Sequence, residues 1–198
     1  GREANSFNAI ERLCYTAERG MGALEFKPVL GPKMGQAQRV HIDQLAQLAS
    51  QVLNQRKDLS HSFDDAHKQQ ALTSILRVGT SAGGARAKAV IAWNRKTNEV
   101  RSGQVSTDAG FEHWLLKFDG VSGNKDKELD DPVGYGAIEY AYYRMALDCG
   151  IEMSECSLFE ENGRRHFMTK RFDRESTGEK KHLQSLCAIA HFDFNQAG

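Results

Sequence analysis

The sequence predicts an α+β fold, an antiparallel sheet with flanking helices, and three observations carry that expectation. Two pairs of strand-like runs are each joined by a short polar turn, one between Trp93 and Glu99 and the other through Asn162 and Gly163. Turns of this kind connect antiparallel neighbours, and Asn-Gly is the strongest short-range signal for a hairpin. Between the two pairs, residues 134–149 carry apolar side chains at helical spacing, so the chain mixes the two periodicities.

Composition sets the outer bounds. The 198 residues hold 26 Lys and Arg against 26 Asp and Glu, with 40% hydrophobic and 26% charged residues. That is the balance of a globular chain with one ordinary domain or two small ones, burying roughly 70% of its unfolded surface. With a formal charge of zero, there is no global footprint for direct binding to nucleic acid or an anionic membrane. The cysteines Cys14, Cys149, Cys156 and Cys187 form no CxxC pair. This argues against a zinc ribbon or a disulfide framework and favours a reducing cytoplasm. There is no apolar run of membrane-spanning length, and the first residues lack the apolar core of a signal peptide. Charge is nevertheless uneven. Residues 119–155 hold three basic against nine acidic side chains and 164–182 seven against three, so the neutral total hides a dipolar surface.

The elements follow in order. Phe7, Ile10, Leu13 and Cys14 mark a short helix over 6–16, and residues 23–26 read as a short strand halted by Lys27 and Pro28. Ile42, Leu45, Leu48 and Leu53 mark an amphipathic helix over 42–54, and another is expected over 65–76. Residues 87–93 and 99–102 form the first predicted hairpin. In the strand over 113–118, Trp114, Leu116 and Phe118 share one face and His113, Leu115 and Lys117 the other. Residues 119–131 read as an acidic loop. The helix over 134–149 aligns Ile138, Ala141, Tyr142, Met145 and Cys149 on one side, and Gly150 is a natural stop. Strands over 156–161 and 164–171 form the second hairpin, and a last helix is expected from about Lys181, with Leu183, Leu186, Cys187 and Ala190.

Three stretches could carry chemistry. In GTSAGGARAKAV, residues 79–90, glycines among small side chains precede a strand and would let backbone N–H groups approach an anion closely. It is neither a Walker A sequence nor GxGxxG, and a plain connecting loop would use the same residues. Lys117, lying between Leu116 and Phe118, must reach solvent, a carboxylate or a phosphate, because an unpaired buried ammonium is expensive. A lysine snorkelling from an edge strand would also satisfy that demand. Glu139 stands on the next helix, 22 residues on. A strand lysine paired with a helix glutamate is how protein kinases hold a lysine against nucleotide phosphates, and the order of glycine loop, lysine, glutamate and hairpin is also theirs. In residues 166–174, an apolar strand turns polar and could offer backbone groups to an adenine edge, or simply end in a charged surface turn. Seven scattered histidines without HxH or HExxH spacing make a metal hydrolase a weak alternative.

In that order, GTSAGGARAKAV, HWLLKFDG, EYAYYRMALDCGI and FMTKRFDRE resemble the HipA family of bacterial toxin Ser/Thr kinases, and AIERLCYTAERGMGALEFKP resembles the segment closing that family's N-terminal subdomain. The resemblance implies a kinase-like N-terminal lobe, with its antiparallel sheet and flanking helices, preceded by part of a HipA-type N-terminal subdomain. The implied division is 1–60 for the subdomain remnant and linking helix, 61–172 for the lobe and 173–198 for the start of a truncated C-terminal lobe. It assigns the phosphate loop to Ser81, Ala82, Gly83, Gly84 and Ala85, the phosphate lysine to Lys117 and its partner to Glu139. Backbone contacts to adenine fall to Lys170 and Phe172, and Ser81 is the candidate for autophosphorylation, which would repel ATP phosphates or expel the loop. Where the family often has Asn before the helix glutamate, this chain has Ile138, and the family hinge can carry a carboxylate at the place of Lys170.

The resemblance further implies ATP and Mg²⁺ as cofactors, a HipB-like DNA-binding antitoxin as partner and an aminoacyl-tRNA synthetase as a protein target. The catalytic Asp and the Mg²⁺ ligands belong to the family's C-terminal lobe. No DFG or HRD element is present, and Asp173 and Asp193 lack the expected neighbours. The expectation is an N-terminal fragment of a HipA-like kinase that is inactive alone. The alternative is a non-catalytic kinase-like module that binds an antitoxin-type partner.

Overall fold

The computed structural model describes residues 6–31, 39, 41, 42, 46, 87–104, 108–121, 133–175 and 178–193. The elements in this region are α1 (Ala9–Thr16), a 3-10 turn (Ala17–Arg19), β1 (Lys88–Asn94), β2 (Glu99–Ser102), β3 (Glu112–Lys117), α2 (Tyr135–Asp148), β4 (Cys156–Glu161), β5 (Arg164–Lys170) and α3 (Leu186–Ile189). The helix expected over 65–76 and most of the acidic loop over 119–131 lie outside the described residues.

All five strands form one antiparallel sheet in the order β2-β1-β3-β5-β4, so the chain is α+β as expected. Turn chemistry closes both hairpins. Asn94 Oδ1 accepts the N–H groups of Lys96 and Thr97 at 3.0 and 3.3 Å, and the indole N–H of Trp93 reaches Asn98 Oδ1 at 3.0 Å. At the other hairpin Asn162 and Gly163 both take positive φ, 50° and 75°, the requirement of a type I′ turn.

Strand alternation divides the sheet into two faces. Trp114, Leu116 and Met168 are fully buried on one, where they pack with Ile91, Phe118 and Phe159. Ile42 and Ala46, both helical and 1% exposed, belong to the same core; the other positions of the helix expected over 42–54 lie outside the described residues. His113, Leu115 and Lys117 occupy the opposite face, as the alternation predicts.

Two local expectations are corrected. Residues 23–26 form no strand: Phe26 N–H donates to Ala17 O, which ties the segment back onto the end of α1 and not onto a sheet edge. The last helix does not begin near Lys181. It covers only Leu186–Ile189, because the Ser185 hydroxyl accepts the Ala188 N–H at 3.1 Å and sets the start. The apolar stripe of α2 turns outward, with Ile138, Tyr142 and Met145 50%, 67% and 59% exposed. The helix docks instead by its first turn. A Cβ on Gly136 would stand 1.8 Å from Arg165 O, so only glycine lets the backbone of α2 lie directly on β5.

Replacing Gly136 by alanine should therefore lift α2 from the sheet. The expected loss of about 1–3 kcal/mol is that of an overpacked site. Urea unfolding should show a lower midpoint at an unchanged slope, and an unaltered midpoint would contradict the close approach.

Candidate functional site

β3 and α2 bring together the two residues that the sequence paired. Lys117 Nζ lies 2.5 Å from Glu139 Oε2, 22 residues apart, with the lysine and glutamate side chains 31% and 22% exposed. The ammonium also stands 5.6 Å from the centre of the Phe167 ring. An ammonium has three donors and the glutamate takes one, so the pair fixes the lysine's direction without exhausting it. Opposite Lys117 on β1 is Lys88, three residues after Ala85 in the sequence. Ser81, Ala82, Gly83, Gly84 and Ala85 themselves lie outside the described residues.

Why the glutamate arrives there is explained by a residue that sequence reasoning passed over. Asp119 was read only as the start of an acidic loop, yet it is 1% exposed. Its carboxylate accepts the Gly134 N–H at 2.9 Å and the Gly136 N–H at 3.2 Å. α2 has no side-chain cap of its own and no acidic residue in its first turn. Asp119 thus supplies from a distance both the missing acceptor and the negative charge that the helix N-terminus favours. A helix beginning Gly-Tyr-Gly with no capping residue was the available signal.

His166 completes this buried network. Its Nδ1 accepts the Asp119 N–H at 2.9 Å, and its ring meets Phe118 edge-on at 5.8 Å between centres. Burial pushes the imidazole down to about 4, opposed by the Asp119 charge and reinforced by Arg164. The ring is therefore neutral near pH 7, as an acceptor at Nδ1 must be. Cys156 lies near the Lys117–Glu139 pair, and burial raises its thiol pKa, helped by the charge of Glu139.

The segment expected to meet adenine is braced on both sides. Lys170 donates its N–H to Glu155 O at 2.8 Å, and its ammonium pairs with Glu112, which also holds Arg95 at 2.7 Å. The Lys170 N–H is therefore already committed within the chain. Phe172 is 64% exposed. Between them Arg171, which the sequence reading did not single out, is buried; it bonds the Asp173 carboxylate at 2.8 and 2.6 Å and Met21 O at 2.6 Å. Arg174 reaches Met21 O at 2.8 Å. Burial would raise the Asp173 pKa, but its bond to Arg171 and the charges of both arginines outweigh that and hold it below the ordinary carboxylate value. Asp173 is thus committed to arginines. Among the described residues no three His, Cys, Asp or Glu side chains converge to hold a metal ion, and no helix is long and apolar enough to cross a membrane.

A five-stranded antiparallel sheet with a strand lysine held by a helix glutamate is the arrangement into which the comparison with known families fits. Residues 80–197 match the HipA-like C-terminal domain, and the chain belongs to that family, a Ser/Thr kinase family whose members generally use ATP and Mg²⁺. No curated protein and no solved structure matches the chain.

The low pKa of His166 gives stability a defined pH dependence. The unfolded histidine binds its proton near pH 6.5 but the folded one only near 4, so stability should fall as pH drops through that window, by up to about 3 kcal/mol, and level off below it. His113, whose pKa is also lowered by burial and by Arg174 and Arg171, should add a smaller part. Urea titrations from pH 7 to 4 should show a shallower slope for His166→Gln than for the unsubstituted chain. An identical slope would remove His166 as the cause.

Proposed function

We propose that this chain forms part of the nucleotide site of a HipA-like Ser/Thr protein kinase, in a kinase-like N-terminal lobe spanning about 61–172. Lys117 meets the ATP phosphates, and Glu139 aims it. The observation that carries this reading is the 2.5 Å contact between Lys117 Nζ and Glu139 Oε2, made by a strand and a helix far apart in sequence. Membership of the family gives it a chemical context.

The register supports the remaining assignments. Because Lys88 pairs with Lys117, the backbone leaving residues 81–85 enters the sheet at the lysine's end, where N–H groups of Ser81, Ala82, Gly83, Gly84 and Ala85 would add to its charge. The hinge contacts fall to the carbonyl of Lys170 and the backbone of Phe172. In the complete kinase the γ-phosphoryl group passes from ATP to a serine or threonine hydroxyl of a protein and ADP leaves, with Mg²⁺ neutralising phosphate charge. The catalytic Asp and the Mg²⁺ ligands belong to the family's C-terminal lobe and not to the residues assigned above. Ser81 as the autophosphorylation site, an aminoacyl-tRNA synthetase as target and a HipB-like antitoxin as partner are proposed on family membership alone.

Calorimetric titration of the chain with MgATP tests the site. The unsubstituted chain should bind, and Lys117→Met should weaken binding at least tenfold, about 1.4 kcal/mol. Glu139→Gln, which frees the lysine without removing it, should fall between the two. Equal affinity in the Lys117→Met chain, at an unchanged unfolding midpoint, would overturn the assignment and leave the non-catalytic interaction module.

A further inference from the structure

Away from the Lys117–Glu139 pair, three arginines meet at the seam between the N-terminal turn and the sheet. A cavity of about 10 Å³ lies there, lined by Arg19, Met21, Val90, Gly103, Arg171 and Arg174 among others. That is room for one water-sized particle. Arg19 and Arg171 are each 7% exposed. Arg19 donates from Nε to Thr16 O at 3.2 Å and from Nη2 to Tyr15 O, and its guanidinium lies 5.3 Å from the Tyr15 ring centre. No carboxylate pairs with it among the described residues. Arg171 spends Nε and Nη2 on Asp173 and Met21 O. In both residues Nη1 is buried with no hydrogen-bond partner.

The charge at this seam does not balance. Arg19, Arg171 and Arg174 bring three guanidinium groups together, and Asp173 offers one carboxylate against them. Unpaired buried cations are expensive, and two orphaned guanidinium donors on residues that line one cavity add the cost of lost hydrogen bonds. Neighbouring groups register the same field. The pKa of Arg174 is lowered first by burial and then by Arg171, and that of His113 first by burial and then by Arg174 and Arg171. A water molecule would satisfy the donors but leave the charge.

We propose that this cavity binds a single small anion of halide size, held by the Nη1 groups of Arg19 and Arg171, which closes the seam between the N-terminal turn and the sheet. A phosphate, with four oxygens around its centre, exceeds the space. The site is independent of the nucleotide reading, and its test contains no nucleotide, so either can fail without the other.

Thermal unfolding of the whole chain in sodium chloride and in sodium gluconate at equal ionic strength reads the binding directly. Chloride should raise Tm by at least about 2 °C and saturate, as a ligand of the folded state must. In Arg19→Gln the difference should vanish. Should that variant fail to fold, crystals of the unsubstituted chain grown in bromide should show an anomalous peak within hydrogen-bonding reach of both Nη1 groups. A Tm indifferent to chloride, an equal rise with phosphate, or no bromide peak between the two arginines overturns the proposal.

Discussion

The buried carboxylate of Asp119 joins three segments that are distant in sequence. It lies two residues past the end of β3, so its position is tied to the strand that carries Lys117. It accepts two N–H groups at the start of α2, so it fixes the helix that carries Glu139. Its own N–H is held by His166 of β5, the strand on which that helix lies. The ion pair between Lys117 and Glu139 is thus the outcome of a scaffold assembled beneath it. A part-exposed pair of this kind contributes little stability of its own and could not recruit a helix unaided.

The two faces of the sheet divide the work. One carries Trp114, Leu116 and Met168 into an apolar core, and the end of that core is closed by charged side chains: Glu112 binds Arg95 and Lys170, and Arg95 lies 5.0 Å from the Trp114 ring centre. The other face carries His113, Leu115 and Lys117. Adjacent residues in β3 therefore differ little in sequence context but entirely in surroundings. The same alternation places a cation between two apolar neighbours without burying it among them.

Much of this was legible in the sequence because it depends on local chemistry. Asn162-Gly163 fixed a type I′ turn, period-two alternation assigned both faces of β3, and the spacing from Lys117 to Glu139 marked the pair. What escaped was non-local. The cap of α2 comes from 15 residues away, so Asp119 looked like one more acid in a charged run. The stripe at Ile138, Tyr142 and Met145 marked one side of α2, but periodicity reports which side chains share a face and not which face meets the sheet. Gly136 in the first turn decided that instead, because its close backbone approach to β5 overrides side-chain amphipathicity. The roles of Arg19 and Arg171 likewise depend on a contact between the first and last parts of the chain, which no window of sequence contains.

The backbone contact at Gly136 also acts as a fulcrum. Glu139 lies three residues along the helix, about 4.5 Å from the contact, whereas Asp148 lies twelve residues along, about 18 Å away. A tilt that swings the far end of the helix by about 4 Å shifts the carboxylate-bearing residue by only about 1 Å. The short arm of the lever carries the glutamate, and the long arm carries the outward-facing side chains of Tyr142 and Met145.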